Sequence, residues 1–285
     1  MKLVYHSIPL VLLAVAFSNA VYSKNKLPSI EGPYFGQTPP GMTPEVFAPD
    51  IVSKEHRDWT GWFTPDMKEY YFTRNNRKAR TSTKMMLKLV DGQWHEQVLD
   101  SGIGGSISPD GKTMHSGNTY RVRTDKGWSE PKSLGAAFKD IPIMVLSVSS
   151  NGTYIFDERE VTGTIRYSRL INGKRETPKA FGKQINSGKW TAHPFVAPDE
   201  SYIIWDSERE GGYGKTDLYI SFQIKDGVWS EAINLGDKIN TPGPDTGAVV
   251  SPDGKYLFFN RKFSEDDSDI MWIDAKVIEQ LRPKM

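Results

Sequence analysis

The 285-residue chain carries 36 basic and 35 acidic residues, and its net charge of +1 gives no footing for polyanion binding as its main work. It has no cysteine, which excludes disulfides, a thiolate metal site and a cysteine nucleophile. Five histidines, one of them at position 6, leave too few for a multi-histidine zinc site.

In chain order, Met1-Lys2 supplies a positive start and Ile8 to Phe17 an apolar run of ten residues. Ser18-Asn19-Ala20 then places small residues where a signal peptidase reads them. The run is too short to span a bilayer. The expectation is an export signal over 1–20, cleaved after Ala20, with no lipid anchor and no stable membrane insertion afterwards. Residues 21–42 read as an arm without periodicity.

From there a pattern repeats: an apolar run, then a Pro-Asp-Gly turn or a variant of it. It occurs as FTPDMKE, ISPDGKT, VSSNGTY, VAPDESY and VSPDGKY, with Asp66, Asp110, Asn151, Asp199 and Asp253 in register. The spacings are 44, 41, 48 and 54 residues, the period of one four-stranded propeller blade per repeat. The turn chemistry is local: Pro presets φ, Asp or Asn caps its own turn, and Gly accepts φ > 0. A second turn follows in four repeats, at Asp91-Gly92, Lys126-Gly127, Asn172-Gly173 and Asp226-Gly227. Trp94, Trp128 and Trp229 come next in three of them, while the third repeat has Arg175. These tryptophans read as packing between adjacent sheets.

The fourth repeat is the clearest. Ser201 to Trp205 is β-branched and aromatic, Asp217 to Phe222 alternates, and Trp229 opens a more polar strand. The fifth repeat ends after three strands, in a tail over 277–285 that reads as helical. Thr43 to Ala48 resembles the outer strands of the other repeats and supplies the missing fourth. The expected fold is therefore all-β, a five-bladed β-propeller of four-stranded antiparallel blades over 43–276, closed by the N-terminal strand on the last blade.

The SPDGK turns, and the stretch SEREGGYGKTDLYISFQIKDGVWSEAINLGDKINTPGPD, resemble the exported Pro-Asp, TolB-like and WD-repeat-like β-propeller family over roughly 43–275. The resemblance implies a periplasmic or secreted protein. The family holds partner-binding modules, envelope scaffolds and some polysaccharide-active members, so fold does not settle function.

In such a blade the residues entering the inner strand share a face with the loops between second and third strands, opposite the Pro-Asp turns. Alignment on the turns puts Asp58 and Asp245 at one level of the central channel. Thr60, Gly104, Val145, His193 and Gly247 lie two positions further along. Asp58, His193 and Asp245 are the catalytic candidates if the protein is an enzyme. The two carboxylates could form an acid–base pair or take calcium, or simply cap the loops entering their strands. Ligand-binding candidates on the same face are Arg74, Glu158, Arg159, Arg209, Tyr213 and Arg261, though Glu/Arg clusters also serve as salt-bridged loop ends. No cofactor is expected, and no phosphate loop is present, since Gly211 to Gly214 lies between strands. Three functions follow. The leading one is non-catalytic binding of an envelope protein, peptide or glycan on the loop-rich face. The second is a glycoside hydrolase or polysaccharide lyase, and the third a purely structural module.

Overall fold

A computed structural model describes residues 30–284, apart from 55, 77 and 101; the expected export signal and the start of the arm lie outside these residues. The described chain is all-β, with one short α-helix at Lys276–Leu281, in the tail read as helical.

The period-two runs pair antiparallel with their neighbours in sequence. In the first repeat the strands are Arg57–Phe63, Glu69–Asn76, Thr81–Val90 and Gln93–Val98; in the fourth, Trp190–Val196, Tyr202–Glu208 and Asp217–Lys225, edged by two short strands. The Pro-Asp turns cap themselves as their chemistry requires. Asp66, Asp110 and Asp253 each accept the hydroxyl two residues before and the backbone N–H two residues after.

The pairing differs from five separate four-stranded sheets. The sheets contain nine, five, four, two and five strands. The nine-stranded sheet arises because Ser268 of the fifth repeat bridges Arg57 of the first in parallel. The third repeat, the most divergent in sequence, splits off a two-stranded hairpin of Leu170–Ile171 with Lys174–Arg175. Glu45–Val46 does pair antiparallel with the Ser268–Asp274 strand, Glu45 opposite Trp272.

The described part of the arm, from Ile30, packs against the repeats despite its lack of periodicity. Ile30–Glu31 adds to the edge strand at Gln93–Trp94, and Tyr34 and Phe35 are buried among Phe63, Tyr70, Trp94 and Trp272. Two aromatic residues beside three glycines and prolines give no periodic signal, yet they seal the seam between the first and last repeats.

The inner strands of the five repeats are Arg57–Phe63, Ser106–Ile107, Ile143–Val148, Trp190–Val196 and Asp245–Val250. Each lies beside the next, and the last lies beside the first. Apolar clusters fill the spaces between sheets, the largest joining the fourth and fifth repeats around Ile204, Ile220, Leu257 and Phe259. Burial of this kind, at about 25 cal/mol per Å² of apolar surface, is the main force holding the sheets face to face.

Candidate functional site

Four of the inner strands break register at the same level: between Trp59 and Trp62, Ile143 and Leu146, Ala192 and Phe195, and Thr246 and Val249. Each irregularity turns a backbone N–H out of its own ladder, and a buried N–H must find an acceptor. The acceptors are side chains at the ends of the second strands. Asn260 Oδ1 takes the N–H of Thr60 (2.6 Å), Asp206 Oδ1 that of Gly247 (2.9 Å), and Asp157 Oδ2 that of His193 (2.9 Å). Asp157 Oδ1 also takes Val145 of its own repeat (2.7 Å). Each of these three acceptors thus ties one repeat to the next.

The four turned-out residues, Thr60, Val145, His193 and Gly247, are among those that sequence alignment put at one level. They line a central cavity of about 150 Å³ together with Trp59, Trp62, Thr73, Lys84 and His115. His193 adopts φ 50°, a left-handed conformation that costs a non-glycine residue about 1–2 kcal/mol. Gly247 has φ 62° at the corresponding place. Gly105 makes a close backbone approach, since a Cβ there would fall 1.9 Å from the carbonyl oxygen of His115.

His193 is the one sequence-derived candidate that lines this cavity. Its Nδ1 lies 2.7 Å from Asp206 Oδ1, and its ring stands edge-on to Trp59 at 5.0 Å. Burial alone would push the imidazole pKa down, but the Asp206 carboxylate and then Asp157 outweigh it, and the pKa is raised. Burial raises the Asp157 carboxyl. Asp206 Oδ2 is buried without a hydrogen-bond partner.

Asp58 and Asp245 are each taken up by an arginine of their own repeat. Asp58 pairs with Arg74 at 3.3 Å and accepts the N–H of Lys54; Asp245 pairs with Arg261 at 2.8 Å and accepts both the N–H and the hydroxyl of Thr241. Burial raises both carboxyl pKa values despite the arginines. This is the loop-capping arrangement.

Arg74 and Arg261 stand opposite Asp58 and Asp245 in register, and Arg209, two residues past the corresponding Ser207, brings its guanidinium to the same kind of place. Each donates to carbonyls of the loop entering its repeat: Ile51 and Val52, Ile185, and Ile239 respectively. Each also lies over an aromatic ring, Phe72, Tyr219 or Phe259. Glu158 is paired with Arg166 at 2.6 Å. Arg159 is exposed, its charge opposing protonation of His193. Tyr213 is half exposed, its backbone N–H held by Asp217.

Sequence reasoning missed Lys84, from the third strand of the first repeat. Its ammonium donates to Thr73 Oγ1 at 2.8 Å, and among the described residues no carboxylate pairs with it. Burial holds its pKa below the ordinary lysine value. Nothing in the alternation of TSTKMMLKLV distinguishes Lys84 from Lys88, which pairs with Glu69. A signal for the acceptors did exist: the apolar runs of the third, fourth and fifth repeats end in Asp157, Asp206 and Asn260. Among the described residues no group of three or more histidine or carboxylate side chains is arranged to hold a metal ion.

No family model and no curated protein matches the chain. Solved structures of similar shape include a protein described as TolB from Agrobacterium tumefaciens (18% identity, 78% of each chain covered, TM-score 0.48). A gluconolactonase of Xanthomonas campestris is 10% identical over 86% of this chain and 97% of its own, with TM-score 0.49. An endo-arabinase of Bacteroides thetaiotaomicron is 15% identical over 84% and 97%, also with TM-score 0.49. At these values the likenesses supply no site residue and no activity.

Proposed function

We propose that the chain is an exported five-bladed β-propeller, its last blade completed by Glu45–Val46, that binds an acidic glycan at the mouth of its central cavity without catalysis. It works in the periplasm or outside the cell. Lys84 carries this reading: a largely buried cation on the cavity wall whose only described partner is a threonine hydroxyl. A carboxylate would supply the counter-charge that the protein withholds. Trp59 offers the adjacent aromatic surface on which a sugar ring packs, and the His193 imidazole stands edge-on to that ring at 5.0 Å. A cavity of about 150 Å³ suits one terminal sugar, not a long chain. A peptide or envelope protein presenting a carboxylate would use the same groups.

Calorimetric titration of the mature protein with uronate oligosaccharides and peptidoglycan fragments tests the reading. Lys84→Gln should weaken binding by about tenfold or more, the value of a charge-assisted hydrogen bond. Equal affinity in wild type and Lys84→Gln would remove the proposal.

One observation favours a second reading, a polysaccharide lyase. The Asp206–His193 pair has the form of an oriented base beside a cation able to neutralise a uronate. The glycoside hydrolase form is less well served, because Asp58 and Asp245 are both engaged by arginines. Formation of an unsaturated sugar product, lost in His193→Gln, would move the assignment to the lyase.

A further inference from the structure

The tryptophan of the repeat motif turns toward the preceding repeat. Trp128 donates Nε1 to Tyr71 Oη at 3.0 Å, and Trp229 stands edge-on to Phe181 at 5.9 Å. Arg175 holds this place in the third repeat. Its guanidinium lies 3.5 Å from the centre of the Tyr154 ring, and one terminal nitrogen donates to the carbonyls of Gly152 and Ser168. The remaining N–H groups have no carboxylate to meet, since none pairs with Arg175 among the described residues. Burial accordingly holds its pKa below the arginine norm.

Across from it sits His115 of the second repeat, 2% exposed, with neither ring nitrogen hydrogen-bonded. Tyr154 stands edge-on to the imidazole at 5.2 Å. Burial, and then the charge of Arg175, push its pKa down to about 4, so the ring is neutral at physiological pH and offers one donor and one acceptor. Leaving both unmade in a buried site is unfavourable. These groups line a cleft of about 310 Å³ between the second and third repeats, together with Ser149, Ser150 and Asp110. A guanidinium in place of an indole therefore leaves a space, a cation without an anion, and an imidazole without a partner, all in one cleft.

We propose that this cleft is a second binding site, for a small hydroxycarboxylate. The planar carboxylate meets the N–H groups of Arg175 that the carbonyls of Gly152 and Ser168 leave available, and the ligand's hydroxyl bonds to His115. Asp110, held by Ser108 and the N–H of Lys112, lies on the same wall and sets a charge limit. One negative charge is matched by Arg175, whereas a phosphate dianion would face Asp110 with its second. The site is separate from the Lys84 end of the channel, although His115 also borders the central cavity.

The test uses the mature protein and imidazole-detected NMR, with glycolate, acetate and inorganic phosphate as probes. Glycolate is expected to shift the His115 resonances saturably, acetate to bind more weakly, and phosphate to leave them in place. Arg175→Gln should weaken glycolate binding about tenfold or more. Arg175→Trp restores the residue of the other repeats, fills the cleft and should abolish the response while the protein stays folded. Lys84→Gln should leave it unchanged, which separates this site from the cavity mouth. Resonances unmoved by tens of millimolar glycolate would mean that the cleft holds water only. That result, a wild-type response in Arg175→Trp, or phosphate binding as tightly as glycolate would overturn the proposal.

Discussion

Replacing Asp157 with alanine removes a single carboxylate that serves two repeats. Its Oδ1 accepts the N–H groups of Met144 (3.2 Å) and Val145 (2.7 Å), and its Oδ2 that of His193 (2.9 Å). The site is closed to water, Asp157 being 0% exposed. Two short bonds are lost outright, and each orphaned N–H costs about 1–3 kcal/mol. Against this, the buried charge no longer has to be desolvated, which returns part of the loss. A net destabilisation of about 3 kcal/mol follows, and for a chain of this size it should lower the melting temperature by roughly 6–12 °C. Asp157→Asn keeps one acceptor oxygen and should fall between the two. The assay is thermal unfolding of the three proteins, followed by circular dichroism. If Asp157→Ala melts within about 1 °C of wild type, the carboxylate does not hold the two repeats together and the reasoning fails.

Two further outcomes follow from the same geometry. Because the folded pKa of His193 is raised, its stabilisation is complete below the ordinary histidine value and disappears as pH rises through the folded value. The stability lost in His193→Gln, read from urea midpoints, should therefore be larger near about pH 6 than near about pH 9; the opposite order would contradict the pairing with Asp206. Arg261→Met strands Asp245, which is fully buried, and should cost about 3–5 kcal/mol. The double variant with Asp245→Asn should recover most of that, and equal melting of single and double variants would show that the pair is not coupled.

The repeat period, the capped Pro-Asp turns and the level of Thr60, Val145, His193 and Gly247 were all legible, because each depends on local chemistry or on counting from a fixed turn. Pairing of Glu45–Val46 with the last repeat was legible from its likeness to other outer strands. The roles of the charged residues were not. Arg74, Arg209 and Arg261 look like ligand-facing charges in a sequence, and only the folded loop shows the carbonyls of Ile51, Ile185 and Ile239 that hold them. Lys84 escaped notice for the converse reason: isolation from carboxylates is a property of three-dimensional surroundings. Tyr34 and Phe35 were hidden by their glycine- and proline-rich context, which breaks the periodicity that marks a core segment.

The seam between the two ends of the described chain also bears on how it reaches its final form. Glu45 and Trp272 are about 230 residues apart, and joining such distant points costs about 5 kcal/mol of chain entropy before any contact offsets it. Tyr34, whose hydroxyl reaches Asp253 at 2.8 Å, belongs to the same joint. The N-terminal strand must therefore wait, unpaired, until the fifth repeat has been made. Docking of Glu45–Val46 on the fifth repeat is thus a late, non-local step of folding. A polypeptide that threads through a membrane N-terminus first would gain from this delay, because it cannot lock into its finished shape while its tail is still on the other side.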